Sequence, residues 1–140
     1  MPDRAPHWAD ALIGKSYRLG GRGPEAFDCW GLLQFIWRAQ LGLSVPDIGA
    51  QVEGLAARVR AFRSVGFGQV MADEVAAPVE YDAVYMTAAR WPHHIGMWVA
   101  PDARGGVLHA VEGAGVLFQR RTDLAASDYR IMRIMRVRRA

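Results

Sequence analysis

The sequence predicts an α+β fold in which N-terminal helices pack on a C-terminal antiparallel β-sheet. Two observations predict it: apolar residues follow helical spacing in the first half of the chain, and short strand-like stretches follow in the second half. Helices first and strands second is the order typical of segregated α and β layers. The 140 residues contain no repeat, linker or low-complexity segment, so we expect a single domain over residues 1–140.

Helical and irregular segments alternate before the strands begin. Residues 7–13 favour a short helix that Gly14 ends. The segment 14–27 is rich in glycine and is predicted to be irregular. Residues 52–64 place apolar side chains on one stripe and arginines on the opposite side, which predicts a long surface helix.

The central helix is predicted to begin directly after Asp28. An aspartate at this position can accept the free N–H groups of a first helical turn, and Cys29 then falls within that turn. Gly42 is the predicted end of the helix. The apolar residues that share the helix face of Cys29 are Leu32, Leu33 and Ile36. Bulky aromatic residues cover much of the remaining surface, so we expect a helix that is buried on several sides.

Strand patterns fill the second half of the chain. The predicted strands cover 82–86, 94–100, 106–111, 115–120 and 129–137. A short helical turn is expected to open at Thr122 or Asp123, before the last strand. These strands are expected to form the antiparallel sheet on which the helices pack.

The charge pattern does not predict nucleic-acid binding. The formal net charge is +3, and the one dense basic cluster lies in the last strand, where arginines alternate with apolar residues. A nucleic-acid binder would interleave clustered basic residues with aromatic ones. We therefore expect a strand with a solvated side, which could meet an anionic partner protein or an acidic cell envelope.

Neither a membrane span nor a secretory signal is predicted. No apolar run approaches the roughly 18 residues that a membrane-spanning helix needs. Residues 1–10 lack an apolar stretch after their charges, so no signal peptide is expected. We accordingly expect synthesis in the cytoplasm and delivery to any other compartment by another route.

Cys29 is the only cysteine, so the chain has no internal disulfide and no multi-thiolate metal site. A lone cysteine is most often a small buried hydrophobic residue. The alternative is a nucleophile, because the first turn of a helix favours the negative charge of a thiolate. A catalytic cysteine also needs a neighbouring imidazole and a third polar group that orients it.

Histidines on two predicted strands are the candidate partners of Cys29. His94 shares a strand face with Gly96, and His109 lies on the next strand, so the two imidazoles can lie side by side. Gly96 is expected to leave room for a helix or a substrate on that face. A zinc site that combines His93, His94, His109 and Cys29 is the alternative. Adjacent histidines on one strand point to opposite faces, however, which disfavours a shared ion.

Two stretches of the chain match the pattern of a known family. The first consists of the run 17–21 (YRLGG), Pro24 and the run 28–32 (DCWGL). These residues resemble the nucleophile region of the NlpC family, the papain-like cysteine peptidases that cut bacterial cell-wall peptides. The run 94–99 (HIGMWV) is similar to its base-bearing strand, and this pattern selects His94 rather than His93.

Further matches extend the resemblance over about residues 8–120. The run 108–110 (LHA) looks like the third catalytic position of the family. The segment 78–86 looks like the start of a family strand, where a proline is followed by Gly-Asp. Tyr81 stands where glycine is usual in that segment. The resemblance implies the papain-like NlpC fold for the whole chain, with the nucleophile at a helix N-terminus.

The resemblance also implies a mechanism. Cys29 would attack an amide carbonyl, His94 would act as the base, and His109 would hold the imidazole of His94 in its working tautomer. The backbone N–H of Cys29 would stabilise the oxyanion. The oxyanion- and substrate-binding side chains that the resemblance implies are Tyr17, Asp28 and Trp30. Neither a metal nor another cofactor is expected.

The resemblance suggests both a substrate and the kind of particle that carries the enzyme. Peptidoglycan is the implied partner, and the implied scissile bond follows D-glutamate in its stem peptide. Single-domain members with a tryptophan after the cysteine, as Trp30 is here, look like those carried in the tails of phages or of gene transfer agents. The basic last strand would then dock on tail or hub proteins. The alternatives are a structural tail component with degenerate activity, a housekeeping wall hydrolase or amidase, and an acyltransferase.

Overall fold

The computed structural model describes residues 6–45, 71–88 and 94–138, and the predicted helix over 52–64 lies outside these ranges. Within them the helical elements are a 3-10 helix at Trp8–Ala11, α1 at Cys29–Leu41 and α2 at Arg121–Ala126. The strands are β1 (Ser16–Tyr17), β2 (Ala26–Phe27), β3 (Met71–Glu74), β4 (Ala83–Ala88), β5 (His94–Val99), β6 (Gly106–Val111), β7 (Gly115–Gln119) and β8 (Tyr129–Val137). No helix of the described part is long and apolar enough to cross a membrane.

Strands β3 to β8 form one antiparallel sheet in the order β3-β8-β4-β5-β6-β7. The predicted α+β class with an antiparallel sheet is confirmed, and all five predicted strands are present. Strand β3 was not predicted, because the sequence Met-Ala-Asp-Glu carries no apolar alternation. It forms because it pairs with the backbone of β8, a contact that local pattern does not encode.

The glycine-rich segment 14–27 is more ordered than predicted. It contains the two short strands β1 and β2, which pair in parallel with Tyr17 opposite Phe27. The backbone N–H of Arg18 donates to the carbonyl of Phe27 at 3.0 Å, and the N–H of Gly21 donates to the carbonyl of Arg18 at 2.7 Å. The loop is therefore closed on itself, which fixes the position of Tyr17 relative to the start of α1.

Helix α1 has the predicted boundaries. Asp28 is its N-cap, and Gly42 ends it in the left-handed conformation with φ 67°. The helix packs on one face of the sheet, where its fully buried residues meet Ile95, Met97 and Leu108. Helix α2 covers the opposite face with Leu124, against Trp98 and Val107. Strand β5 is consequently buried along its whole length.

Strand β8 lies inside the sheet, between β3 and β4. Arg130 and Arg133 are exposed, in agreement with a partly solvated strand. Arg136 differs, because its guanidinium donates to both carboxylate oxygens of the buried Asp82 at 2.9 and 2.8 Å. This paired, two-point contact holds β8 to the start of β4, so not every arginine of the basic cluster is available to a partner.

Tyr81 has a positive φ of 80°, which explains why glycine suits this position. Three contacts hold the tyrosine in that strained conformation. Its backbone N–H donates to the carbonyl of Trp98, and its carbonyl accepts the indole N–H of Trp37 at 3.0 Å. Its ring stacks on Trp8 with a centroid distance of 5.6 Å. These contacts tie the entry of β4 to the helical layer.

Candidate active site

A pocket lies where the N-terminus of α1 meets the start of β5 and the end of β6. The residues that line it are Tyr17, Cys29, His94, Ala110, Val111, Glu112 and Tyr129. The structure therefore brings three of the residues singled out from the sequence into one pocket: Tyr17, Cys29 and His94. They come from strand β1, the start of helix α1 and the start of strand β5.

Cys29 is the first residue of α1 and is 6% exposed. The unpaired N–H groups of a helix N-terminus and the aligned peptide dipoles favour a negative charge there. A thiolate at this position would thus be stabilised by the backbone. The sequence reason is local, since Asp28 caps the helix and so fixes Cys29 as its first residue.

The carboxylate of Asp28 is a structural group and does not face the pocket as a substrate ligand. It is 1% exposed and accepts the N–H of Gly31 at 2.7 Å and the N–H of Gly20 at 3.0 Å. The guanidinium of Arg22 donates to both of its oxygens at 2.9 Å. The predicted cap is confirmed, and the predicted substrate-binding role is wrong because these donors occupy the buried carboxylate. Arg22 balances its charge beside Cys29.

Trp30 is also corrected, because its side chain points into the core. It is 0% exposed and packs edge-on against Trp37 with a centroid distance of 5.8 Å. A fully buried indole cannot contact a substrate, so Trp30 does not take the substrate-binding role implied for it. It anchors α1 on the sheet instead.

His94 and His109 form the pair that the two strands predicted. The Nε2 atom of His94 lies 2.8 Å from the Nδ1 atom of His109, on the neighbouring antiparallel strand. His94 is 6% exposed and lines the pocket, whereas His109 is fully buried behind it. The geometry fits a base at the pocket and an orienting partner in the interior. His93 lies outside the described residues.

Because Gly96 has no side chain, it makes room for the neighbouring strand β6 of the same sheet. A Cβ atom built on Gly96 would lie 2.6 Å from Cγ1 of Val107 and 3.0 Å from Cβ of His109. The space expected for a helix or a substrate is thus filled by β6, and that prediction is wrong. The glycine is needed because it lets β6 bring His109 close enough to reach His94.

Burial lowers the pKa of His109 to about 4, although a hydrogen bond to Gln119 opposes the shift. The imidazole of His109 is therefore neutral at neutral pH. Its Nε2 atom lies 2.7 Å from the side-chain oxygen of Gln119 on β7. The aromatic ring of Tyr129 adjoins both histidine rings, with centroid distances of 5.3 and 5.1 Å.

Three residues of this site were missed in the sequence: Gln119, Tyr129 and Glu112. Each stands in or beside a predicted strand, but nothing in its own neighbourhood marks it as part of a site. Gln119 follows an apolar run and Tyr129 begins one, as solvent-facing and core residues commonly do. Only the β6–β7 register, which pairs His109 with Leu117, could have identified Gln119 as a neighbour of His109.

Comparisons with known proteins agree with this fold. The family model described as NlpC/P60 family matches residues 14–139. The structure of NlpC1 from Trichomonas vaginalis is similar with a TM-score of 0.58 and 22% identity, covering 91% of this chain and 41% of that one. The structure of NlpC2 from the same organism gives a TM-score of 0.57 and 22% identity, covering 93% of this chain and 43% of that one. The chain spans about two fifths of the length of these structures. No curated protein matches it.

Proposed function

The chain belongs to the NlpC/P60 family, and on that premise we propose that it is a cysteine endopeptidase that cuts the stem peptides of peptidoglycan. One observation carries the proposal: the pocket holds Cys29 at a helix N-terminus together with His94, and His94 is backed by the buried His109. A nucleophile, a base and an orienting group are the parts that covalent amide hydrolysis requires.

The proposed reaction proceeds through a thioester. His94 takes the thiol proton, and the sulfur of Cys29 attacks the carbonyl carbon of the scissile amide. The C–N bond breaks when His94 returns that proton to the leaving amine. A water molecule then attacks the thioester with His94 as the base, which releases the carboxylic acid and restores the thiol.

Two groups are proposed to stabilise the oxyanion. The backbone N–H of Cys29 is in the first turn of α1, where the helix dipole also favours negative charge. The side chain of Tyr17 lines the same pocket, and its hydroxyl is the second proposed donor. Glu112 lines the pocket as well and would favour a substrate that carries a positive charge near the scissile bond.

Peptidoglycan digestion with fragment analysis tests the activity. We would incubate the purified protein, a Cys29→Ala variant and a His94→Gln variant with peptidoglycan sacculi and identify the released fragments by mass spectrometry. We expect fragments that end in D-glutamate from the unaltered protein and from neither the Cys29→Ala nor the His94→Gln variant. His7→Gln is the matched control, because His7 lies outside the pocket and bonds Glu80; it should keep full activity.

The fragment termini separate the alternatives. Release of stem peptides cut at the sugar linkage would indicate an amidase, and peptides joined to an added acceptor amine would indicate an acyltransferase. Equal fragment release by the unaltered protein and Cys29→Ala would reject the peptidase mechanism.

We propose that the enzyme is carried in a phage-like tail, either of a phage or of a gene transfer agent. There it would open the wall of a recipient cell during DNA delivery. The tryptophan directly after the nucleophile supports this placement through its resemblance to tail-borne members. The exposed arginines Arg130 and Arg133 are the proposed contact to tail or hub proteins. Mass spectrometry of purified particles from a producing culture tests this, and absence of the polypeptide from them would reject it.

A further inference from the structure

A chain of four polar side chains leads from the pocket into the protein. His94 on β5 contacts His109 on β6 at 2.8 Å, and His109 contacts the side-chain oxygen of Gln119 on β7 at 2.7 Å. The amide nitrogen of Gln119 donates to the hydroxyl of Ser127, at the end of α2, at 3.2 Å. Three strands and a helix end thus contribute one residue each.

We propose that Gln119 is a positioning residue whose side-chain oxygen fixes the tautomers of both His109 and His94. The inference rests on the proposed function, in which His94 is the base. Gln119 does not line the pocket, so it would act on the reaction only through the histidines.

The chemistry of each group determines which atom donates and which accepts along this row of hydrogen bonds. The amide oxygen of Gln119 can only accept, so the Nε2 atom of His109 carries the hydrogen. A neutral imidazole has one N–H, which leaves the Nδ1 atom of His109 as an acceptor. His94 must then donate to it through its own Nε2–H. The unprotonated nitrogen of His94 is therefore Nδ1, which is the atom left to take the thiol proton of Cys29.

The orientation of one amide decides this arrangement. If the Gln119 amide were turned over, its NH₂ would donate to His109, and each imidazole would carry its proton on Nδ1. His94 would then already carry its proton on Nδ1 and could not accept the thiol proton through that atom. In the observed orientation the NH₂ donates to Ser127 and the amide oxygen faces His109.

A glutamine is also better suited than a glutamate to this position. Both offer an acceptor oxygen, but a carboxylate would favour the protonated form of His109. A protonated His109 has no acceptor and would repel the charged state that His94 passes through. Gln119 therefore supplies the acceptor without the charge.

Imidazole ¹⁵N chemical shifts and steady-state kinetics test the proposal on the full-length protein. In the unaltered protein at pH 8 we expect protonated Nε2 and unprotonated Nδ1 on both His94 and His109. Gln119→Met keeps the length of the side chain and removes the acceptor. We expect mixed tautomers and a kcat lowered by about tenfold or more, since general base catalysis contributes roughly 10²- to 10⁴-fold, with KM within about twofold.

Gln119→Glu is the rescue variant. It keeps the acceptor, so at pH 8 we expect the tautomers of the unaltered protein and most of its kcat. The acidic limb of its pH profile should move to higher pH, because the carboxylate raises the pKa of His109. The other titratable groups around the pair are Tyr129 from β8 and Tyr17, Cys29 and Glu112 at the pocket, and they are the same in every variant.

Gln34→Met is the matched control, because the Gln34 amide bonds the carbonyl of Val45 away from the pocket. It should leave tautomers and kcat unchanged. A proton on Nδ1 of His109 in the unaltered protein, or unchanged tautomers and kcat in Gln119→Met, would overturn the proposal. If the unaltered protein cuts no peptidoglycan, the proposed function fails, while the nitrogen shifts still decide whether Gln119 sets the tautomers.

Discussion

Lowering the pH from 6.5 to about 4.5 should destabilise the fold by about 2 kcal/mol through one side chain, His109. In the unfolded chain its imidazole has the ordinary pKa of 6.5, and in the folded protein burial lowers the pKa to about 4. Between these values the unfolded state binds a proton that the folded state excludes. In the middle of that window each pH unit therefore removes about 1.4 kcal/mol from the free energy of unfolding, and near either pKa it removes less.

The sign of the effect follows from the direction of the shift. A group that is buried in its neutral form stabilises the fold fully only above its unfolded pKa, and the loss grows until pH falls to the folded pKa. The total is about 3 kcal/mol, a large share of the 5 to 15 kcal/mol that is typical of a domain. His109 is fully buried, so solvent does not screen the effect.

Urea unfolding followed by tryptophan fluorescence measures this dependence, because Trp30 and Trp37 are fully buried. The experiment compares the unaltered protein with His109→Gln at pH 7.5, 6.5, 5.5 and 4.5. Carboxylates titrate in both proteins, so the difference between the two curves isolates His109. We expect the unaltered protein to lose stability more steeply by roughly 1 kcal/mol per pH unit. Parallel curves would refute the reasoning.

Substitutions at three further residues test contacts of the site. Gly31→Ala should destabilise the protein by about 1 to 3 kcal/mol, because its Cβ would collide with the carbonyl of Gly21. Helix propensity alone favours alanine by about 1 kcal/mol, so a more stable variant in urea unfolding would contradict the contact. Gly96→Ala should cost a similar amount and lower peptidoglycan cleavage, since its Cβ would lie 2.6 Å from Val107 beside the histidine pair; full activity would argue against this. Asp28→Ala should cost about 2 to 4 kcal/mol in the same assay, because it removes the helix cap and the carboxylate to which the guanidinium of Arg22 donates. Asp28→Asn, which keeps the cap acceptor, should cost less.

The local sequence pattern was sufficient to predict a structural feature wherever a residue acts on its own neighbours in the chain. Asp28 and Gly42 set the ends of α1 through bonds to residues three to five positions away, and both were predicted. The alternation in 129–137 predicted β8 with its observed bounds. The roles predicted for Asp28 and Trp30 failed because burial depends on packing, and the sequence alone did not show which side of α1 faces the sheet.

The sequence by itself determined the α+β class, the position of Cys29 at a helix start and the two strands that carry His94 and His109. These features depend on spacing and capping within a few residues. Only the tertiary structure decided that Tyr17, Cys29 and His94 share one pocket and that Gln119 stands behind His109. The physical reason is that a β-sheet brings together residues from separate strands, and the register that aligns them is set by pairing across the whole sheet.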